Sequence, residues 1–402
     1  MVSKILKKIA FSLVALVFLL FSACNEDGLS ETIDGDYSGD IKLSSEGSGV
    51  ETPGGSDQGN GNNTGLITAG EWNDLENWNF WKNILNENEY FKNVSYWEFY
   101  TLKRISVQVK NNATPIINSK VELKLNNELV WQSMTDNFGK TELFVDLFKD
   151  SNISNFNGFK LFINGIENTT PLKFVEDGIV EVELNSAQNN SSNKVEIAFI
   201  VDATGSMGDE LEFLKDDLKD VIQRSEQSNS ELDIFTGTVF YRDRDDDYLV
   251  KSSGFTNNIS STLNFINQQS ANGGGDFPEA VDSALDEALT ELQWSLNSRT
   301  RIAFLLLDAP PHYNVQILDK LHSLITKYAE KGIKLIPITA SGIDKETEFL
   351  MRFFAVSTNG TYVFITNDSG IGNEHLEASV GDYQVENLNN LLVRLIDKYS
   401  TN

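Results

Sequence analysis

The stretch Val195-Glu-Ile-Ala-Phe-Ile-Val-Asp-Ala-Thr-Gly-Ser-Met-Gly208 decides the fold of this chain. Its apolar run, Ile197 to Val201, has the length and composition of a fully buried strand. Asp202, Thr204 and Ser206 then place three oxygen-bearing side chains at alternate positions, and a helical pattern of leucines follows. A loop between a buried strand and a helix lies at the carboxyl edge of a parallel sheet, where open α/β folds bind ligands. Oxygen ligands suit a hard cation such as Mg²⁺ or Ca²⁺.

Strands and helices alternate from this stretch to the end of the sequence. Apolar runs predict further strands near 232–241, 248–253, 302–307, 333–338 and 361–365. Amphipathic runs predict helices near 208–224, 259–268, 277–293, 315–330, 345–355 and 385–399. This alternation predicts an α/β domain, with a mostly parallel sheet and helices on both faces.

Three motifs resemble the metal-ion-dependent adhesion site of von Willebrand factor A domains. The first is Asp202-Ala-Thr-Gly-Ser-Met207 after the buried strand. The second is the Gly-rich loop Gly273-Gly-Gly-Asp-Phe-Pro-Glu279, and the third is the strand and loop Ile302-Ala-Phe-Leu-Leu-Leu-Asp-Ala-Pro-Pro-His312. The resemblance implies a Rossmann-like von Willebrand factor A domain over residues 194–402.

In the resembling family, carboxylates and hydroxyls from these loops approach a divalent cation directly or through water. The resemblance implies Mg²⁺, or alternatively Ca²⁺ or Mn²⁺, and one coordination position left open for a carboxylate of the partner. Carried onto this chain, the implied metal ligands are Asp202, Thr204, Ser206 and Asp308.

The Gly-rich loop departs from the family pattern, because Asp276 stands where the family has a Thr. If Asp276 binds the metal, three carboxylates face one divalent ion, which tightens metal binding and weakens attraction for an acidic partner. Glu279 is the alternative carboxylate, and Asp276 is alternatively the cap of a helix starting near Pro278. We therefore include Asp276 among the candidate ligands with these alternatives open.

Two neighbouring features carry weaker expectations. Tyr241-Arg-Asp-Arg-Asp-Asp-Asp247 resembles the start of an EF-hand loop, but Tyr248 occupies the position that needs Gly. A solvated acidic turn is expected there. His312 is expected to be a loop residue. The alternative is a group that contacts a metal ligand without binding the metal itself.

The amino terminus has the pattern of a targeting segment. Three lysines precede the apolar run Ile9 to Phe21, and Phe21-Ser-Ala-Cys24 resembles the lipobox of bacterial lipoproteins. The resemblance implies a signal peptide over residues 1–23 and a lipidated Cys24; an ordinary signal peptide or a membrane anchor is the alternative. Acidic residues after Cys24 resemble the export signal of Bacteroidetes-type surface lipoproteins. We therefore expect a lipid-anchored protein of the outer membrane, exposed on the cell surface.

The chain between the signal peptide and the α/β domain is predicted to form four further segments. Residues 24–70 are rich in Gly, Ser and Asn and predict a flexible tether. Residues 71–103 contain tryptophans at helical spacing, which either pack on the next domain or form a glycan-binding surface. In residues 104–184, apolar and polar residues alternate with a period of two. This pattern predicts a small β-sandwich that resembles prealbumin-like or Ig-like modules. Residues 185–193 form a polar linker before the α/β domain.

The charge balance and the motifs limit the function. The net charge of −27, from 59 acidic against 32 basic residues, argues against a nucleic-acid partner. The sequence has no nucleophile elbow, P-loop or kinase signature, so we expect no enzyme. The favoured function is a cell-envelope lipoprotein that binds a protein or matrix-like partner through a divalent cation. The alternatives are a structural subunit whose metal staples the fold, or an unrecognised metal-dependent hydrolase.

Overall fold

A computed structural model describes residues 65–185, 192–228 and 230–401. The predicted signal peptide, Cys24, most of the predicted tether and most of the predicted linker lie outside the described residues. Among the helices of the described ranges, none is long and apolar enough to cross a membrane.

The elements of the first half of the chain are mainly short strands. In order they are β1 (Thr68–Trp72), α1 (Trp78–Ile84), α2 (Asn88–Trp97), β2 (Arg104–Asn111), β3 (Thr114–Pro115), β4 (Lys120–Leu125), β5 (Glu128–Met134), β6 (Lys140–Phe144), β7 (Phe159–Ile163), β8 (Ile166–Asn168) and β9 (Val180–Glu183). Strands and helices then alternate as β10 (Lys194–Asp202), α3 (Gly208–Ser228), β11 (Asp233–Tyr241), β12 (Val250–Thr256), α4 (Ile259–Asn267), α5 (Val281–Thr290), β13 (Thr300–Leu307), α6 (Val315–Lys331), β14 (Ile333–Thr339), α7 (Lys345–Ser357), β15 (Tyr362–Ile365), β16 (Glu386–Asn387) and α8 (Leu388–Ser400).

An eight-stranded mixed sheet carries the α/β part. Its strand order is β12-β11-β10-β13-β14-β15-β1-β16. Strands β11, β10, β13, β14 and β15 run parallel, β12 and β1 pair antiparallel with β11 and β15 at the two sides, and β16 pairs antiparallel with β1. In the register of β10, Asp202 lies beside Tyr241 and Val201 lies beside Leu306. The loops that follow β10, β11 and β13 therefore begin at the same edge of the sheet.

Both faces of this sheet are covered by helices. Successive residues of β10 alternate between two hydrophobic clusters, with Ala198 and Ile200 in one and Phe199 and Val201 in the other. Helices α5, α6 and α7 belong to the first cluster, and α3, α4 and α8 belong to the second. The predicted α/β class with helices on both faces is confirmed.

The strands between 104 and 184 form two four-stranded sheets. One contains β3, β2 and β6 with β9 paired to β2, and the other has the order β5-β4-β7-β8. Their buried side chains, such as Val107 and Leu123, belong to the same hydrophobic cluster as Leu321 and Phe349 of the α/β part. All the described residues fall within one compact unit. The β-rich segment therefore shares a core with residues 194–402 rather than standing apart; its prealbumin-like or Ig-like character stays a prediction.

The segment before the β-rich part differs from its prediction. The predicted tether reached residue 70, but β1 pairs with β15 and places Ala69 opposite Ile365 in the main sheet. Ala69 is fully buried there. Five residues are too few for periodicity to reveal a strand, and this one gains its backbone partners from a strand almost 300 positions later.

The tryptophans of residues 71–103 are packed rather than displayed. The four between 72 and 97 are each at most 8% exposed. Trp81 lies 5.5 Å from the ring of Phe349 and 5.4 Å from that of Phe353, both on α7, and its indole donates to Thr101. The packing interpretation is therefore confirmed, and the glycan-binding surface is wrong.

A buried ion pair fixes this amino-terminal segment to α7. The Arg352 guanidinium donates to both carboxylate oxygens of Asp74, at 2.8 and 2.7 Å, and Trp72 donates to the same carboxylate at 2.9 Å. The side chains of Arg352 and Asp74 are 0% and 2% exposed. Paired geometry of this kind is needed to offset the cost of removing both charges from water.

We expect Asp74→Asn to destabilise the protein by about 3–5 kcal/mol, because the buried guanidinium loses the carboxylate that accepts two of its hydrogen bonds and keeps only that of Glu348, at 3.4 Å. The matched control is Glu167→Gln, which breaks the exposed Lys160–Glu167 pair and should cost about 0–1 kcal/mol. Urea unfolding of both variants measures the difference. Equal free energies of unfolding for the two variants would show that the Arg352–Asp74 pair does not hold the segment.

Candidate metal centre

Backbone hydrogen bonds tie three loops together at the carboxyl edge of the sheet. Ala203 N donates to Tyr241 O, and Gly205 N donates to Gly273 O at 3.0 Å. The Gly-rich loop is joined in turn to the loop after β13, since Glu279 N donates to Pro310 O at 2.8 Å. The motifs that are far apart in sequence therefore form one structure.

The first motif turns its polar side chains toward one another. Asp202 Oδ1 accepts from Thr204 N at 2.8 Å and from Thr204 Oγ1 at 2.7 Å, and the hydroxyls of Thr204 and Ser206 are 3.1 Å apart. Asp202 and Thr204 are fully buried, whereas Ser206 is exposed. The motif thus joins a buried carboxylate to an oxygen that solvent or a partner can reach.

Asp308 brings a second buried carboxylate to this position. Burial and the charge of Asp308 raise the pKa of Asp202 to about 7. Burial is the main cause that raises the pKa of Asp308 to about 6, and the charge of Glu210 also raises it. A hydrogen bond from the Ser206 hydroxyl acts in the opposite direction and lowers this pKa. Both pKa values are raised first by burial, and a neighbouring carboxylate adds to each shift.

The free oxygens at this position fit a divalent cation. Asp202 Oδ2 and Asp308 Oδ1 are buried, and neither accepts a hydrogen bond of normal geometry from any described residue. Buried carboxylate oxygens are rarely left without a partner. With the Thr204 and Ser206 hydroxyls they make an all-oxygen set, which suits Mg²⁺, Mn²⁺ or Ca²⁺.

Glu279 is the carboxylate of the Gly-rich loop that lies against the first motif. It is 3% exposed, and burial followed by the charges of Asp202 and Asp243 raises its pKa to about 9. A Cβ at Gly274 would lie 3.0 Å from Glu279 Oε1 and 3.4 Å from Thr204 Cβ. Both side chains therefore border the space beside that glycine. The alternative left open by the sequence, Glu279, is thus next to Thr204.

Asp276 is exposed and takes a different position. Its carboxylate lies with the carboxylate of Asp243 and the imidazole of His312, and the ligand atoms of the three groups are within 4.8 Å of one another. Helix α5 begins at Val281 with Ala280 as its N-cap, so the helix-cap interpretation of Asp276 is wrong. Its binding to the same ion as Asp202 stays a prediction.

The acidic turn after β11, which the sequence places at the same edge of the sheet, folds onto the Gly-rich loop of the site. Asp243 is only 8% exposed, and Asp246 Oδ2 accepts from Asp243 N at 3.0 Å and from Gly274 N at 2.9 Å. Gly273 has φ of +79°, and a Cβ there would collide with the Asp246 carboxylate. The expectation of a solvated turn is therefore wrong for Asp243 and Asp246, because the turn folds back on the Gly-rich loop.

Glu210 is a further buried carboxylate that the sequence analysis missed. It is fully buried in the first turn of α3, accepts from Ser341 N at 3.1 Å and is also bonded by the Ser341 hydroxyl. Burial raises its pKa. A signal was present, since Glu210 lies three residues after Met207 and four before Leu214, on the buried face of the helix.

Comparison with known proteins gives a family match that covers these loops, together with partial matches to individual proteins. The sequence profile of the von Willebrand factor A domain matches residues 196–370. An ariadne-like RING finger protein of Acanthamoeba polyphaga mimivirus is 34% identical over 125 residues, which are 31% of this chain and 12% of the viral protein. The alpha-protein kinase vwkA of Dictyostelium discoideum is 30% identical over 167 residues, which are 40% of this chain and 26% of the kinase.

The matches therefore span about a quarter or less of these two relatives, and they concern a shared segment rather than whole proteins. The profile match, over residues 196–370, includes the three loops of the site. Residues 196–370 of this chain are a von Willebrand factor A domain.

Proposed function

We propose that the carboxyl edge of the main sheet binds a protein partner through a divalent cation. The residues that would hold the cation are Asp202, Thr204, Ser206 and Asp308, with Glu279 or Asp276 as the carboxylate of the Gly-rich loop. The observation that carries the proposal is the pair of buried, unsatisfied carboxylate oxygens beside the exposed Ser206 hydroxyl. When bound, the cation supplies an electrophilic position for an oxygen of the partner.

Exposed apolar side chains around this edge support a protein partner. Phe277 of the Gly-rich loop is 44% exposed, Tyr313 after β13 is 44% exposed, and Leu249 before β12 is 38% exposed. All three belong to segments at the same edge of the sheet. Apolar side chains that surround a polar site are typical of protein-binding surfaces.

The metal is tested first, by calorimetry and thermal melting with Mg²⁺, Mn²⁺ and Ca²⁺. We expect binding that stabilises the wild type by about 2.7 kcal/mol when the cation is at about 100 times its Kd. Asp202→Asn and Asp308→Asn should each weaken binding at least about tenfold, since each removes a charged oxygen. Asp209→Asn, which removes one exposed charge from the start of α3, should leave binding unchanged. Equal affinities for Asp202→Asn and Asp209→Asn would contradict the site.

The effect of Mg²⁺ on melting should grow with pH. Without metal, the folded state holds protons on Asp202 up to about pH 7, whereas an unperturbed Asp releases them near 3.8. Stability of the metal-free protein from this group is therefore full below about pH 4 and falls as pH rises to about 7. The cation replaces those protons, so its stabilising effect should be small at pH 5 and larger at pH 8. Asp202→Asn should lose this dependence in melting scans at the two pH values; an equal Mg²⁺ effect at both in the wild type would contradict the assignment.

Partner binding is tested by capture from envelope extracts on immobilised protein, with Mg²⁺ or with a chelator. A partner retained by the wild type with Mg²⁺, and lost with chelator or in Asp202→Asn, supports the proposed function. Metal binding without any metal-dependent capture supports the alternative of a cation that only staples the fold. Hydrolytic turnover that is lost on chelation would support the alternative enzyme.

The proposed location rests on residues outside the described part of the chain. Lipidation of Cys24 and an outer-membrane position are supported by the pattern of the amino terminus. This pattern consists of three lysines, the apolar run to Phe21 and then Ser22-Ala23-Cys24. We expect Cys24→Ser to move the protein from the membrane fraction to the soluble fraction, because it removes the acyl acceptor. Fractionation followed by mass measurement checks this. A variant that stays in the membrane fraction at unchanged mass would contradict the lipid anchor.

A further inference from the structure

A second group of possible metal ligands lies beside the site of Asp202 and Asp308. It contains Asp243 from the turn after β11, Asp276 from the Gly-rich loop and His312 from the loop after β13. Their ligand atoms are within 4.8 Å of one another, and His312 Nε2 lies 2.6 Å from Asp243 Oδ1. Atoms that share an ion at about 2.1 Å lie up to about 4 Å apart, so small side-chain rotations bring the three onto one ion.

An unsatisfied carboxylate next to this group points independently to a ligand. Glu279 Oε2 is buried and accepts no hydrogen bond of normal geometry within the described ranges. The Glu279 backbone pairs with Pro311, which directly precedes His312, and its carboxyl lies among the charges of Asp202 and Asp243. Glu279 is thus close to residues of both groups of ligands.

The number of buried carboxylates also exceeds what one ion offsets. Asp202, Asp308, Glu279 and Asp243 are each at most 8% exposed. One divalent cation at the first site offsets two negative charges, fewer than the four that these carboxyl groups carry when all are ionised. The neighbouring Arg242 guanidinium is engaged by the backbone carbonyls of Ala203 and Ser270.

We propose that Asp243, Asp276 and His312 hold a second divalent cation, of the transition-metal class that accepts an imidazole nitrogen, with Glu279 close to both sites. The two sites differ in chemistry, because carboxylates and hydroxyls favour Mg²⁺ or Ca²⁺ whereas an imidazole among carboxylates favours Zn²⁺ and related ions. Asp276 then belongs to the second site and Glu279 is the carboxylate of the Gly-rich loop at the first, so the second site does not rest on the proposed partner-binding function.

Calorimetry of Zn²⁺ binding to the full chain, in saturating Mg²⁺, tests this assignment. We expect one Zn²⁺ per molecule, with at least about tenfold weaker binding in Asp243→Asn and in His312→Gln. Asp202→Asn should retain Zn²⁺ binding, so a failure of the first site and a failure of the second are distinguishable. Circular dichroism and melting confirm that each variant is folded.

Two matched controls address adventitious binding. Asp245→Asn removes an exposed carboxylate from the same turn, and His322→Gln removes an imidazole from α6 that is bonded to Trp97 O. Both should bind Zn²⁺ as the wild type does. The assignment is overturned if Zn²⁺ does not bind, if His312→Gln binds it as tightly as the wild type, or if binding is lost only in Asp202→Asn.

Discussion

Burial of carboxylates at the carboxyl edge of the main sheet is the constraint on which the site depends. Moving an ionised carboxylate out of water costs several kcal/mol unless protons, hydrogen bonds or cations offset its charge. The raised pKa values of Asp202, Asp308 and Glu279 are the mark of that cost, since protons are the offset available without metal. A divalent cation removes the need for those protons, and hydroxyls such as that of Ser206 add ligands without adding charge. Binding of the proposed cation would therefore be coupled to folding at this edge.

The rest of the chain holds this edge of the sheet, with its buried carboxylates, in place. Five parallel strands bring the three loops together, and two hydrophobic clusters fix the sheet between its helices. The amino-terminal segment adds β1 to the same sheet and clamps α7 through Asp74, Arg352 and Trp81. The β-rich segment shares the core on that face. Separation of these parts would expose large apolar surfaces, so we interpret them as one platform that presents the loops.

The sequence predicted the α/β part well because its information is local. Buried strands such as Ile197 to Val201 and the amphipathic helices each carry their periodicity within about ten residues. The contacts that the sequence did not reveal are long-range: β1 pairs with β15 from far along the chain, and the turn at Asp246 bonds Gly274. The same applies to Asp243 and His312, which look like ordinary loop residues until the fold brings them together. Periodicity reports which face of an element is buried, but not which distant loop a polar side chain meets.

Anomalous diffraction from crystals grown with Mn²⁺ tests the metal centre most directly. The structure predicts a peak at the carboxyl edge of β10, within about 2.5 Å of oxygens from Ser206 and Thr204, with Asp202 and Asp308 bound directly or through water. The peak should disappear in crystals of Asp202→Asn. A map with no peak at this edge, or with peaks only on exposed acidic side chains elsewhere, would contradict a cation held by the buried carboxylates.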